Sequence, residues 1–212
     1  MPHKSTKNPL TPIKPRSLRL PPQNVAQALL GTYLVRNLNP CNTLVLRIVE
    51  TEAYLGQTDP ASHAYQNKRT PRTQTLYLNG GHAYIYLIYG LHNCLNVVTG
   101  NNTNGDAVLI RAGEPIEGRD IMIANRNLTR SATPRQIAGG PGKLCQALAI
   151  DRTLNAIPLD NPDAPLYLAH GTPVKKSQII AGPRIGIDYA GEAKDWTLRY
   201  AIRNHPALSK PF

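Results

Sequence analysis

The chain has 212 residues, enough for one domain with a sizeable core, and its 24 lysines and arginines against 13 acids give a net charge of +11. That excess is spread along the chain, which points to a polyanionic partner, although a merely basic soluble protein would read the same way. The cysteines, Cys41, Cys94 and Cys145, are odd in number and far apart. Neither a disulfide framework nor a Cys-x-x-Cys metal site is suggested, and a reducing, intracellular setting is expected; no apolar run is long enough to span a bilayer, and the start lacks the apolar block of a signal peptide.

Residues 1 to about 22 are rich in proline and basic residues, which predicts a flexible or draped arm. "NVAQALLGTYLVR" predicts a short helix capped by Asn24, stopped by Gly31 and passing into a strand. After the turn "NLNPCN", the alternating and β-branched "TLVLRIVETEAY" predicts a second strand. "AYIYLIYGLHNCLNVVT" reads as a hairpin around Gly90 whose tip carries Tyr89, Leu91 and His92. "AVLIRA", residues 107–112, predicts another strand, with a helix after Pro115 that uses Ile116, Met122 and Ile123. "GGPGKLCQALAI" combines a glycine-rich loop with a helical pattern from Lys143 onward. "PLYLAH", "SQIIAGPRIGI" and "TLRYAI" read as short strands. Many strands with few helices between them predict a single α+β domain with a largely antiparallel sheet.

Three constellations carry candidate chemistry. Alternation places Glu50, Glu52 and Tyr54 on one strand face, where one acid could serve as a general base with Arg111 as its cation; a salt-bridged strand edge using Arg47 would give the same pattern. Tyr84 and Tyr86 share a face while Tyr89 has the opposite parity. The first two could line a pocket and the third leave the domain as a wedge between base pairs, or all three could be sheet packing. "GGPGK", residues 139–143, could approach a phosphate through its glycines, the N–H groups of the following helix and Lys143, or be a plain turn. It lacks the spacing of a Walker loop or a dinucleotide fingerprint, so no nucleotide cofactor is indicated. The signature of a zinc base deaminase is missing, and the scattered acids give little support to a two-metal nuclease.

The blocks "VETEAYLG" with His63, "YIYLIYG", "CLNVV", "VLIRAGEPIEG", "GGPGKLCQAL" and "RIGIDYAGEA" together resemble the alkyladenine, or 3-methyladenine, DNA glycosylases, in that family's order, from about residue 17 to residue 205. The resemblance leaves residues 1–16 as the arm and 17–212 as the domain. It implies a curved, largely antiparallel sheet with flanking helices and a hairpin that enters the DNA minor groove. It further implies a monomeric, monofunctional enzyme without metal or other cofactor, associated with DNA in the nucleoid or nucleus, that cleaves N-glycosidic bonds of alkylated or deaminated purines in double-stranded DNA. By position, Glu52 matches the general base and Arg111 the arginine that holds the attacking water. Tyr54 matches one wall of the base slot, His63 and Tyr86 the other. Asn96 matches the asparagine that crowds the 2-amino group of guanine, and Tyr89 the intercalating residue. Glu50 is expected to play a supporting part. A non-catalytic damage binder or an RNA-processing enzyme would be separated from this reading by turnover and by substrate.

Overall fold

The computed structural model describes residues 10–212. Among these residues a sheet of eight strands, every paired neighbour antiparallel, is covered by four short helices, so the chain is an α+β domain. Of the arm expected over residues 1–16, residues 1–9 lie outside the described residues. The remainder is tied down: Ile13 N–H donates to Leu168 O at 2.9 Å, His170 N–H to Thr11 O at 2.8 Å, and the Ile13 side chain is buried.

Helix α1 spans Pro22–Ala28 and buries Val25 and Ala26. Asn24 is not its cap, contrary to expectation. Pro21 holds that position and Pro22 the first helical turn, where a residue without an N–H and with φ already set leaves less for a capping side chain to do. Gly31 does stop the chain: its φ is +83°, and a Cβ there would stand 2.3 Å from Thr172 O. Strand β1, Tyr33–Asn39, then pairs with β2, Asn42–Tyr54, the long central strand.

Strands β3, Ala83–Ile88, and β4, His92–Val98, form the expected hairpin, and β5, Ala107–Glu117, pairs with both β4 and β2. The helix expected directly after Pro115 begins later. β5 continues to Glu117 because Pro115 lies opposite Leu46 beside a bulge, where a residue without an N–H is tolerated, and leaves Ile116 half exposed in the strand. Gly118, φ +76°, then turns the chain into α2, Arg119–Asn125. Helix α3, Pro134–Ala138, was not foreseen, although Thr133 and Gln136 form a capping box that is legible as T-x-x-Q. Helix α4, Pro141–Ala147, begins two residues before Lys143.

The remaining strands are β6, Leu166–Ala169, β7, Ile179–Gly182, and β8, Arg199–Ile202. The sheet order is β3-β4-β5-β2-β1-β6, and β8 takes the edge of β2 that β1 leaves free beyond Arg47, with β7 outside it. The main core lies where α1 to α4 cover the sheet, through Leu34, Leu46, Ile48, Ile110, Met122 and Leu144. Apolar packing of this kind leaves no reason for two carboxylates in mid-sheet, yet Glu50 and Glu52 are fully buried there. No helix among the described residues is long and apolar enough to cross a membrane.

Candidate active site

The centre of the sheet is irregular where β2 meets β5. Ile48 pairs with Gly113 and Glu50 with Ala112, so Val49 is an extra residue on β2; Glu50 and Thr51 then face Ala112 and Ile110, so Arg111 is an extra residue on β5. A bulged residue leaves the ladder and its side chain is re-aimed. Arg111 is aimed at both acids: its Nε lies 3.3 Å from Glu50 Oε1 and its Nη1 3.3 Å from Glu52 Oε1. Thr51, between the acids, points the other way and donates to Ala26 O of α1 at 2.9 Å.

The two carboxylates differ in surroundings. Glu50 is filled with donors, Arg199 Nε at 2.7 Å and the Ser209 N–H and hydroxyl at 2.7 and 2.8 Å. The Arg47 partner considered for it is engaged elsewhere, 3.8 Å from Glu114. Glu52 accepts from Ile185 N–H at 2.9 Å on Oε1 and from the Tyr54 hydroxyl at 3.0 Å on Oε2. Burial pushes the Glu52 carboxyl above its usual range, opposed by Arg111 and by those two hydrogen bonds, with Glu50 adding a smaller upward push.

Beside these acids lies a cleft of about 280 Å³, small for a ligand site; the Glu52 carboxylate itself is buried behind Arg111, Ile185 and Tyr54, which hold it and line the cleft. Tyr54, His63, Tyr84, Tyr86, Asn96 and Arg111 all line it. The His63 ring packs edge-on to Tyr86 with centroids 4.5 Å apart, and its Nδ1 is 2.9 Å from the Tyr84 hydroxyl. Burial, assisted by Arg72 and Lys68, lowers the His63 pKa to about 4, so the ring is neutral at physiological pH. The Tyr84 hydroxyl is pushed up to about 12 by burial, and burial raises those of Tyr54 and Tyr86 as well, so all three rings are neutral too. Asn96, buried on β4, has its amide fixed by donation from Nδ2 to Tyr84 O at 3.3 Å.

Tyr89 stands at the hairpin tip on the rim of the cleft, 84 % exposed and with φ +53°. It and Gly90, φ +69°, are the central residues of a turn closed by Leu91 N–H to Ile88 O at 3.1 Å. A non-glycine residue in this region carries a strain of about 1 kcal/mol, and an 84 % exposed Tyr89 buries little surface in return. Lys143 is exposed on the first turn of α4, whose Gly142 packs so closely under His92 of the hairpin that a Cβ would lie 3.1 Å from the His92 Cβ. With only seven residues, α4 is too short for a strong dipole, which leaves the lysine as the charge at this place.

Several contributors escape a reading of the sequence. Arg184 and Asp59, both buried, form a bidentate pair in which Nη2 donates to Oδ1 at 2.9 Å, and Arg184 also donates to Ala53 O at 3.1 Å. The Arg184 guanidinium lies 4.6 Å from the Tyr54 ring centroid, while Asp59 accepts from Leu55 and Ala61 N–H at 3.1 and 2.9 Å. One ion pair thus joins the loop leading to His63, the ring of Tyr54 and the segment that presents Ile185 N–H to Glu52. Arg184 opens the motif "RIGIDYAGEA", but nothing in that string names its distant partner.

An aromatic cleft backed by a buried, arginine-held carboxylate, on a strongly basic domain, has the groups to receive a flat ring of a nucleic acid. The family model for methylpurine-DNA glycosylase matches residues 16–206. The chain is 49 % identical over 186 residues to a protein of Natranaerobius thermophilus, covering 88 % of this chain and 92 % of that one. It is 48 % identical over 200 residues to one of Methanocella arvoryzae, covering 94 % and 96 %. Both carry a provisional 3-methyladenine DNA glycosylase name, as does a Psychrobacter cryohalolentis protein 43 % identical over 208 residues, 93 % of this chain and 95 % of that one. The chain belongs to the methylpurine-DNA glycosylase family, enzymes of DNA repair that hydrolyse N-glycosyl bonds.

Proposed function

We propose that this glycosylase acts as a monofunctional monomer, without a cofactor, on alkylated or deaminated purines in double-stranded DNA, the class of 3-methyladenine, 7-methylguanine, hypoxanthine and ethenoadenine. The observation that carries the mechanism is Glu52, fully buried beneath the cleft yet held by Arg111, Ile185 N–H and Tyr54. Each of those groups donates toward the carboxylate, which favours the ionised base against the burial that disfavours it. The damaged nucleotide leaves the stack and its base enters the cleft, between Tyr54 on one face and His63 and Tyr86 on the other. The electron-rich faces of neutral rings suit a purine that alkylation has made cationic. Arg184 behind Tyr54 does not oppose that charge, because Asp59 neutralises it.

Water, positioned by Arg111, then gives a proton to Glu52 as its oxygen bonds to C1′. The C1′–N bond breaks and its electron pair leaves with the purine, so that a cationic lesion departs neutral. Positive charge builds on the sugar meanwhile, and the carboxylate beneath it stabilises that charge. Asn96, with its amide fixed, crowds the 2-amino group of guanine, a penalty that 7-methylguanine, which keeps that group, offsets through its positive charge between the neutral rings. Tyr89 fills the space the base vacates, which accounts for an exposed ring kept in a strained turn.

Lys143 contacts a DNA phosphate. Lys143→Ala should weaken binding to every sequence alike and reduce the slope of log K against log salt by about one unit; titrations of undamaged and damaged duplex at several salt concentrations read this, and an unchanged slope removes the contact.

The test of the function is single-turnover release of hypoxanthine and 3-methyladenine from lesion duplexes, leaving an abasic strand uncut. Tight lesion binding with no free base would make the protein a damage binder instead. The acid limb of the rate for 7-methylguanine, already cationic and needing no proton, reports Glu52. Since its carboxyl is raised, release should be full above that elevated pKa and fall as pH drops through it, at higher pH than for an ordinary carboxylate. A limb below pH 4 would contradict this.

A further inference from the structure

We propose that Ser209 is a positioning residue for the reaction, its hydroxyl acting with Glu50 to aim Arg111 at Glu52. This rests on the general-base chemistry proposed for Glu52. An arginine can only donate, so the 3.1 Å contact between Arg111 Nε and Ser209 Oγ fixes the direction of the whole chain: Nε–H donates to the hydroxyl oxygen. The hydroxyl proton is then directed to Glu50 Oε1, 2.8 Å away, while Ser209 N–H holds Oε2 at 2.7 Å. Arg199 Nε supplies a further donor to Oε1 at 2.7 Å. Glu50 is thereby satisfied without the terminal nitrogens of Arg111, and Nη1 turns to Glu52.

The competition is real, since Arg111 Nε is already 3.3 Å from Glu50 Oε1, the same distance as Nη1 from Glu52. Loss of the hydroxyl removes one donor from Glu50 and the acceptor from Nε at once. The remaining attraction draws the guanidinium toward Glu50. Ser209 cannot simply follow, because its neighbours pin it: Arg135 Nη2 donates to Ser209 O at 3.1 Å, Arg199 Nη2 to Lys210 O at 2.6 Å, and the Phe212 ring lies 3.9 Å from the Arg199 guanidinium.

The test is the pH profile of single-turnover 7-methylguanine release, with lesion affinity and thermal melting measured alongside. Ser209→Ala should release base roughly 10-fold more slowly at unchanged affinity, the scale expected of a sub-ångström displacement of a catalytic group. Its acid limb should move to higher pH. Facing Glu52 are Arg111 from β5, Glu50 and Tyr54 from β2, Arg199 from β8, Tyr86 from β3 and Cys94 from β4, and only the Arg111 charge is displaced. Ser209→Thr, which keeps the hydroxyl, should restore both rate and limb. A melting-temperature loss with the limb unmoved would make Ser209 structural and overturn the proposal, as would wild-type kinetics in Ser209→Ala. If the alanine variant does not fold, Ser209→Cys keeps the volume while weakening both hydrogen bonds, and its limb decides in the same way. Failure of the wild type to release any base would defeat the general-base chemistry itself, whereas wild-type release with an indifferent Ser209 defeats this inference alone.

Discussion

Glu52→Gln is expected to abolish base release while leaving lesion binding intact. The glutamine keeps the shape of the side chain, and its amide oxygen can still accept from Ile185 N–H, which donates to Oε1 in the wild type. Its amide nitrogen can donate to the Tyr54 hydroxyl, which serves as acceptor as readily as donor. Arg111 retains Glu50 as a charge partner. The slot formed by Tyr54, His63 and Tyr86 is therefore unchanged, and affinity for a lesion duplex should stay near the wild-type value. What disappears is the proton acceptor and the negative charge under the sugar. General-base catalysis alone contributes about 10²- to 10⁴-fold, or roughly 3–5 kcal/mol of barrier, and lost stabilisation of the developing cation adds to it. Single-turnover release of 7-methylguanine measures the loss; a variant within tenfold of wild type would remove Glu52 from the role of base.

Arg184→Ala should produce the largest loss of stability of any single change at the site. Truncating one partner leaves Asp59 charged and buried, with only the Leu55 and Ala61 N–H groups to hold it. Breaking a buried pair in this way costs about 3–5 kcal/mol. For a domain of this size that is roughly 6–20 °C in melting temperature. Replacing both members by apolar residues would not rescue the protein fully, because those two N–H groups would lose their acceptor. Denaturant unfolding of Arg184→Ala beside wild type gives the number, and a loss below 1 kcal/mol would mean that Asp59 finds another partner or a proton. In whatever fraction remains folded, the Ile185 segment loses its anchor, so base release should fall as well.

Much of the architecture follows from local rules. The β-branched alternation of β2, the glycine-centred hairpin and the α+β class needed nothing beyond periodicity and turn chemistry. Local signals fail where a distant partner or a stronger neighbouring signal overrides them. Pro115 looked like a helix start because proline favours one, but pairing opposite Leu46 kept it in β5. Asn24 looked like a cap, but two prolines already set the start of α1.

At the candidate site, strand parity put Glu50, Glu52 and Tyr54 together, and the family resemblance picked out Glu52, Arg111, His63 and Tyr86. Parity could not distinguish the two acids, because both sit on one face of one strand. Their difference comes from partners far along the chain: Arg199 and Ser209 fill Glu50, while Ile185, which lines the cleft, holds Glu52. Nor could alternation foresee that Val49 and Arg111 are extra residues on facing strands. A bulge is a property of the pair of strands, fixed only when both are laid side by side, and it is what turns Arg111 toward the acids. By itself the sequence determined most of the strands, the basic charge and the residue types of the slot, since these depend on neighbours within a few positions. Only the tertiary structure decided which carboxylate Arg199 and Ser209 fill and which is held by groups lining the cleft, because a buried charge is governed by the groups folding brings to it.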